Sequence, residues 1–207
     1  MPVIEFFYDC SSPWTYLAFH RIEDLAKSAG ATLAWRPILV GGVFNTVNPS
    51  VYEQRSNPVL PKLRWYVKDL QDWARLYGLA IGQPPVFPVN SVKAMRAAIV
   101  LDREGLLPRW SRRVFEAYWG ELRDISQDDV LRDVARDIGI DGEPLLRAIA
   151  QPDVKDRLRA NTEELVARGG FGSPTMFIDT NDMYFGNDRL VLVGHALRQA
   201  KAKDSTR

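Results

Sequence analysis

Val3-Ile4-Glu5-Phe6-Phe7-Tyr8 is a short run of β-branched and aromatic residues, and it predicts a first strand. Trp14, Leu17, Ala18, Ile22 and Leu25 then recur at helical spacing as far as Gly30, which supplies a stop. Pro13 suits the first helical position, where a missing N–H costs nothing, and Ser11 or Ser12 suits the cap before it. Ala31 to Pro37 alternates and ends at a proline, so it predicts a second strand and, across the helix, a parallel βαβ unit. Val40 to Asn45 leaves the sheet through the pair Gly41-Gly42, and the proline-broken stretch from Asn48 to Pro61 reads as a loop. From Lys62 to Tyr77 the helical period returns, with Leu63, Tyr66, Leu70, Trp73 and Tyr77 on one face and Gly78 as the stop. Pro84 to Pro88 is a rigid extended connector.

Helical stretches continue after it. Ser91 can cap one running to Glu104, Pro108 can open one running to Gly120, and Ser126 with Asp128 and Asp129 can start one ending near Ile138. Residues 143–149 and 152–168 complete the set. Their Arg, Asp and Glu positions mark solvated faces. Beyond Gly169-Gly170 the period changes again. Thr175 to Asp179 and Met183 to Phe185 form a predicted hairpin about Asn181-Asp182, and Asn187-Asp188 cap a last helix from Arg189 to about Lys201. The tail from Lys203 to Arg207 is expected to fray. A β-α-β front and a β-β-α back therefore enclose a large all-helical insertion. Residues 1–42 and 169–207 form one domain on this division, and residues 43–168 form the helical insertion.

Composition narrows the function. With 46% hydrophobic and 26% charged residues, the 207-residue chain is an ordinary globular one, and 27 Lys+Arg against 26 Asp+Glu point to neither nucleic acid nor a membrane surface. The start Met-Pro-Val-Ile runs straight into strand without an export signal, and the single cysteine makes no disulfide, so a cytoplasmic location is expected. Two distant histidines, His20 and His195, read as structural, and no Cys/His cluster has metal-ligand spacing. Cys10 reads as a small buried hydrophobe. Trp65, Tyr66 and Trp73 read as core packing rather than as the wall of an aromatic pocket.

Ser12 is the candidate for chemistry. A hydroxyl at a helix start either only caps the helix or, beside free N–H groups and the positive dipole end, holds an anion such as a ligand's thiolate. Phe171-Gly172-Ser173-Pro174-Thr175-Met176-Phe177 resembles the loop before the third strand of DsbA-type proteins, where the proline is cis. With FFYDCSSPWTYLA near the start and FGNDRL near the end, the whole chain resembles the 2-hydroxychromene-2-carboxylate isomerases, relatives of the kappa-class glutathione transferases. The resemblance implies an α/β, thioredoxin-like fold carrying the all-helical insertion between its βαβ and ββα halves. It also implies glutathione as cofactor, a small aromatic carboxylate or other electrophile as substrate, and a homodimer.

Ser12 and Thr15 fall where the redox relatives carry two cysteines, so thiol–disulfide exchange at this position is excluded. The resemblance makes Ser12 the catalytic residue, its hydroxyl bonded to the glutathione sulfur. Ser173 and Pro174 would present a backbone pair to the cysteinyl unit, and Gly186, Asn187 and Asp188 would hold the γ-glutamyl end. Asn48 and Lys62 would complete the glutathione site. Two rivals stand beside the isomerase: a kappa-class-like transferase that conjugates electrophiles, and a non-catalytic thioredoxin-fold module that binds extended peptides beside Pro174.

Overall fold

The computed structural model describes residues 1–204 of the chain. Strand β1 (Val3–Tyr8), helix α1 (Pro13–Ala29) and strand β2 (Thr32–Pro37) form the expected unit, with β1 and β2 parallel from Val3 opposite Thr32 to Tyr8 opposite Pro37. β3 (Thr175–Ile178) joins β1 antiparallel, and β4 (Asp182–Phe185) joins β3, giving the order β2-β1-β3-β4. The β-α-β…β-β-α layout is the thioredoxin-like fold that the sequence implied.

The alternation of β1 decides what lies on each side of the sheet. Ile4, Phe6 and Tyr8 enter the larger core with Phe19 of α1, whereas Phe7 points the other way onto Phe177, Ile38, Val43 and Leu165. Gly30 closes α1 in the left-handed conformation (φ 65°), its N–H returning to Ala26 and Lys27.

Between the halves lie α2 (Val40–Val47), α3 (Ser50–Ser56), α4 (Leu60–Tyr77), α5 (Val92–Asp102), α6 (Leu107–Phe115), α7 (Asp128–Asp137), α8 (Gly142–Ala148) and α9 (Pro152–Ala167). The insertion thus has eight α-helices, two more than the stretches with a helical period. The stretches read as a glycine exit and a loop are α2, α3 and the first turn of α4. Packing overrides the glycine pair there: α2 lies against α9, and a Cβ on Gly42 would come within 3.3 Å of Thr162 Cγ2. Prolines 49 and 61 sit at helix starts, where they cost no hydrogen bond.

Two serine caps are corrected. Ser91 precedes α5 without a side-chain cap bond because its hydroxyl goes to Asp9, and Gln127 rather than Ser126 holds the cap position of α7. The helix opened at Leu107 passes into a π turn over Glu116–Gly120. Trp65 is 61% exposed, so its expected place in the core is also wrong, since α4 buries Ala74 alone. Tyr66 instead packs edge-on against Trp14, and Trp73 against Tyr77. At the end of the chain a short 3-10 turn, Asn187–Arg189, leads into α10 (Leu190–Asp204). That helix runs past the expected start of the frayed tail, and residues 205–207 lie outside the described residues. No helix among the described residues is long and apolar enough to cross a membrane.

Candidate functional site

The geometry starts at the turn between β1 and α1. Ser12 has extended backbone (φ −99°, ψ 124°) and caps α1, its Oγ accepting the Thr15 N–H at 3.3 Å, with Pro13 following inside the first turn. The same Oγ donates to the Ser173 carbonyl at 3.0 Å. The Ser173–Pro174 peptide is cis, and Ser173 Oγ accepts the Asp9 N–H at 3.0 Å while bonding Thr15 Oγ1 at 2.7 Å. Ser12 and Thr15 from one turn and Ser173 from a distant loop therefore form one compact polar group. Ser12 is half-buried, Ser173 and Thr15 are buried, and the Ser173 N–H has no acceptor among the described residues.

The remaining expected residues fall into two groups. The Gly186 N–H donates to the Pro174 carbonyl at 3.0 Å, which ties the 186–189 turn to the cis-proline loop. Gly186 needs its positive φ of 103°, and it stands where Asn187 and Asp188 were expected to cap. Asn187 is 2% exposed, yet neither its Oδ1 nor its Nδ2 has a hydrogen-bond partner among the described residues. Burial pushes the pKa of the nearby Tyr77 hydroxyl up, and Asn187 opposes that shift. A buried amide left so poorly satisfied is costly unless a ligand completes it. Asp188 is exposed and pairs with Arg189. On the other side, Asn48 Nδ2 donates to the Phe171 carbonyl at 3.2 Å, reaching the loop two residues before Ser173. Lys62 lies on the exposed first turn of α4 and makes no hydrogen bond or ion pair with the rest of the group.

Asp9, which sequence reasoning passed over, is the polar centre behind the site. Its carboxylate is 1% exposed, and it accepts the Ser11 N–H at 2.9 Å, the Val40 N–H at 2.8 Å and the Ser91 hydroxyl at 3.0 Å. One side chain thus joins the turn before Ser12, the start of α2 and the start of α5. The signal was available: a lone carboxylate directly after a run of apolar strand residues. Burial pushes its pKa up, and the three donors oppose that shift.

The sign of its effect on stability follows. Between the ordinary carboxylate pKa of about 3.9 and the raised native value, the unfolded chain is ionised while the folded one still holds its proton. Asp9 thus contributes stability that is complete below that window and lost as pH rises through it. Asp9→Asn is expected to flatten this part of the pH–stability curve. It should also cost about 1–3 kcal/mol, because an amide N–H₂ would face one of the present donors. Urea denaturation across the acid range measures both. A curve with unchanged slope would place the titration elsewhere.

The loop is backed by the π turn. Trp119 Nε1 donates to the Cys10 carbonyl at 2.9 Å, and the Tyr118 hydroxyl donates to the Val86 carbonyl at 2.8 Å. Cys10 is fully buried, and burial together with the charge of Asp9 drives its thiol pKa upward, so it offers no reactive thiolate. In front lies a cleft of about 380 Å³ whose wall includes Ser11, Asp9, Phe44, Arg55 and Phe87. Ser12 adjoins this wall through Ser11.

Residues 3–198 match the model of the DSBA-like thioredoxin domain. The chain is 30% identical over 200 residues to 2-hydroxychromene-2-carboxylate isomerase of Pseudomonas putida, covering 94% of each protein. It is 28% identical over 208 residues to human glutathione S-transferase kappa 1, covering 94% of this chain and 90% of the relative. Among solved structures, a 2-hydroxychromene-2-carboxylate isomerase superposes with a TM-score of 0.83 at 26% identity, over 99% of this chain and 98% of that one.

Proposed function

We propose that this chain, which belongs to the DSBA-like thioredoxin domain family, is a glutathione-dependent isomerase of the 2-hydroxychromene-2-carboxylate type. The observation that carries the proposal is the Ser12 hydroxyl at the start of α1, 3.0 Å from the carbonyl before the cis-proline. Glutathione, when bound, supplies a thiolate that adds reversibly to a conjugated substrate and departs with the double bond rearranged. The protein's residues hold and charge that sulfur.

Ser12 turns its hydroxyl from the Ser173 carbonyl to the sulfur, while the N-terminal dipole of α1 favours the anion. The Ser173 N–H and the carbonyl so released are a donor and an acceptor for the cysteinyl backbone. Asn187 has unspent bonding capacity for the γ-glutamyl end, Asp188 offers a carboxylate to its ammonium group, and Gly186 shapes the turn. Asn48 steadies the loop at Phe171, and Lys62 would have to swing inward to reach a glycyl carboxylate. With Ser12 and Thr15 in place of thiols and Cys10 sealed in the core, the site has no dithiol to exchange. The homodimer and cytoplasmic location belong to the same proposal.

A second function, a transferase releasing the glutathione adduct, is favoured by the similarity to the human kappa enzyme. Calorimetry with glutathione comes first, and binding is expected at or below about 1 mM, the upper end of usual Michaelis constants. Conversion of 2-hydroxychromene-2-carboxylate should then require glutathione and return it unconsumed. Stoichiometric consumption would assign the transferase. Absence of glutathione binding, with an extended peptide bound beside Pro174, would assign the peptide-binding module.

A further inference from the structure

We propose that Ser91 sets the specificity of the cleft for its second substrate, its hydroxyl oxygen accepting a hydrogen bond from a hydroxyl group on that substrate. This rests on the function proposed above and adds the group that separates hydroxylated electrophiles from analogues lacking the hydroxyl.

Asp9 and Ser91 are the buried polar residues of the cleft lining, at 1% and 6% exposure, whereas Tyr52, Arg55 and Asn90 in the same lining are exposed. The two buried residues are bonded to each other, Ser91 Oγ donating its hydrogen to Asp9 Oδ2 at 3.0 Å. Both carboxylate oxygens also face backbone donors, the Val40 N–H on Oδ2 and the Ser11 N–H on Oδ1. Asp9 is thus an acceptor throughout, and the shared hydrogen belongs to Ser91. The start of α5 does not draw on the serine side chain, since Asn90 Oδ1 accepts the Val92 N–H at 3.1 Å. Among the described residues no donor reaches Ser91 Oγ.

A serine hydroxyl has one hydrogen and two lone pairs to accept with. With the hydrogen committed to Asp9, Ser91 offers the cleft acceptor capacity alone. A ligand that displaces water there must supply a donor or leave a buried oxygen unpaired, and the second outcome lowers affinity. An isostere without the hydroxyl is therefore rejected by its chemistry and not by its size. Tyr52 makes the contrast. Its hydroxyl also donates, to Asn45 Oδ1 at 2.7 Å, but at 41% exposure water satisfies its lone pairs and it discriminates little. The cleft volume of about 380 Å³ is in the range of sites that take a small organic ligand. Asp9 also links Ser91 to the turn before Ser12 through the Ser11 N–H, so a hydroxyl held on Ser91 is fixed relative to that turn.

The test compares 3-hydroxybenzamide with 3-fluorobenzamide, neutral planar ligands of similar size of which only the first carries a hydroxyl hydrogen. Calorimetry is run with and without saturating glutathione on the wild type, Ser91→Ala and Ser91→Cys. The wild type is expected to prefer the hydroxyl ligand by about 3- to 10-fold, as for one neutral hydrogen bond. Ser91→Ala should erase the preference, whereas a merely structural loss would weaken both ligands alike. Ser91→Ala also takes a donor from Asp9. Ser91→Cys keeps the shape and a weak donor but is a poor acceptor, so it too should lose the preference, and it decides alone if Ser91→Ala fails to fold. Equal binding of the two ligands by the wild type, or a preference that survives in the folded variants, overturns the assignment, as does failure of the hydroxyl ligand to bind. Failure of glutathione alone, with a Ser91-dependent preference intact, would count against the proposed isomerase and not against the role of Ser91.

Discussion

Ser12→Ala is expected to lower glutathione-dependent turnover at neutral pH by about 10²- to 10³-fold, the usual loss when one donor to a developing or stabilised anion is removed. The protein should still fold. The lost side-chain cap on Thr15 N–H costs about 1 kcal/mol, and the Ser173 carbonyl loses its present donor but lies at the edge of a half-open site. The dependence on pH separates holding the sulfur from holding the fold. Without the hydroxyl, the thiol of bound glutathione relaxes toward its ordinary value of about 8.5, so the deficit should narrow as pH rises past that point. Ser12→Thr, which keeps a hydroxyl, should recover part of the rate. Ultraviolet absorbance of the bound thiolate and steady-state rates from neutral to alkaline pH supply the two readouts. Equal rates for wild type and Ser12→Ala throughout would remove Ser12 from the chemistry.

The elements whose boundaries were legible in the sequence were those with local signals. Gly30 and Gly78 ended helices in the left-handed conformation, Pro13 and Pro152 opened them, and the alternation of Ile4, Phe6 and Tyr8 set the face of β1. The errors lie where tertiary contacts decide. Residues 40–56 have glycine and proline in loop-like density, yet α2 is helical because α9 closes over Gly42. Ser91 has the residue type of a cap, but a carboxylate 82 positions away in sequence takes its hydroxyl. The same division holds at the candidate site. Ser12 could be picked out by its place before Pro13, and Ser173-Pro174 by motif. That Ser12 Oγ would meet the Ser173 carbonyl follows only from the antiparallel pairing of β1 with β3, which no local pattern encodes. Asp9 was marked in sequence only as a lone carboxylate after an apolar strand; the partners that give it its role could not be read, since its three donors come from three separate elements.

Trp119→Ala is the second large effect expected, and it tests whether the π turn supports the site from behind. Trp119 is 2% exposed and packs against Tyr118 and Phe87 while its indole N–H holds the Cys10 carbonyl. Truncation should therefore cost about 3–5 kcal/mol, as for other buried aromatic side chains. Trp119→Phe divides that cost. It keeps most of the bulk and orphans the carbonyl, for an expected loss of about 1–3 kcal/mol. Cys10 lies two residues before Ser12, so an untethered carbonyl lets the capping hydroxyl drift. A displacement approaching 1 Å lowers a rate by up to about 10²-fold. Trp119→Phe should thus reduce turnover by more than its modest stability loss accounts for, with glutathione affinity changing less than the rate. Circular dichroism in urea gives the stability and single-turnover kinetics the rate. The bond also crosses from the helical insertion to the β1–α1 turn, so loosening it should lower one shared unfolding midpoint rather than split the transition. A Trp119→Phe protein with wild-type stability and turnover would show that the π turn merely passes behind the loop, and that Ser12 is placed by its own cap and by Ser173 alone.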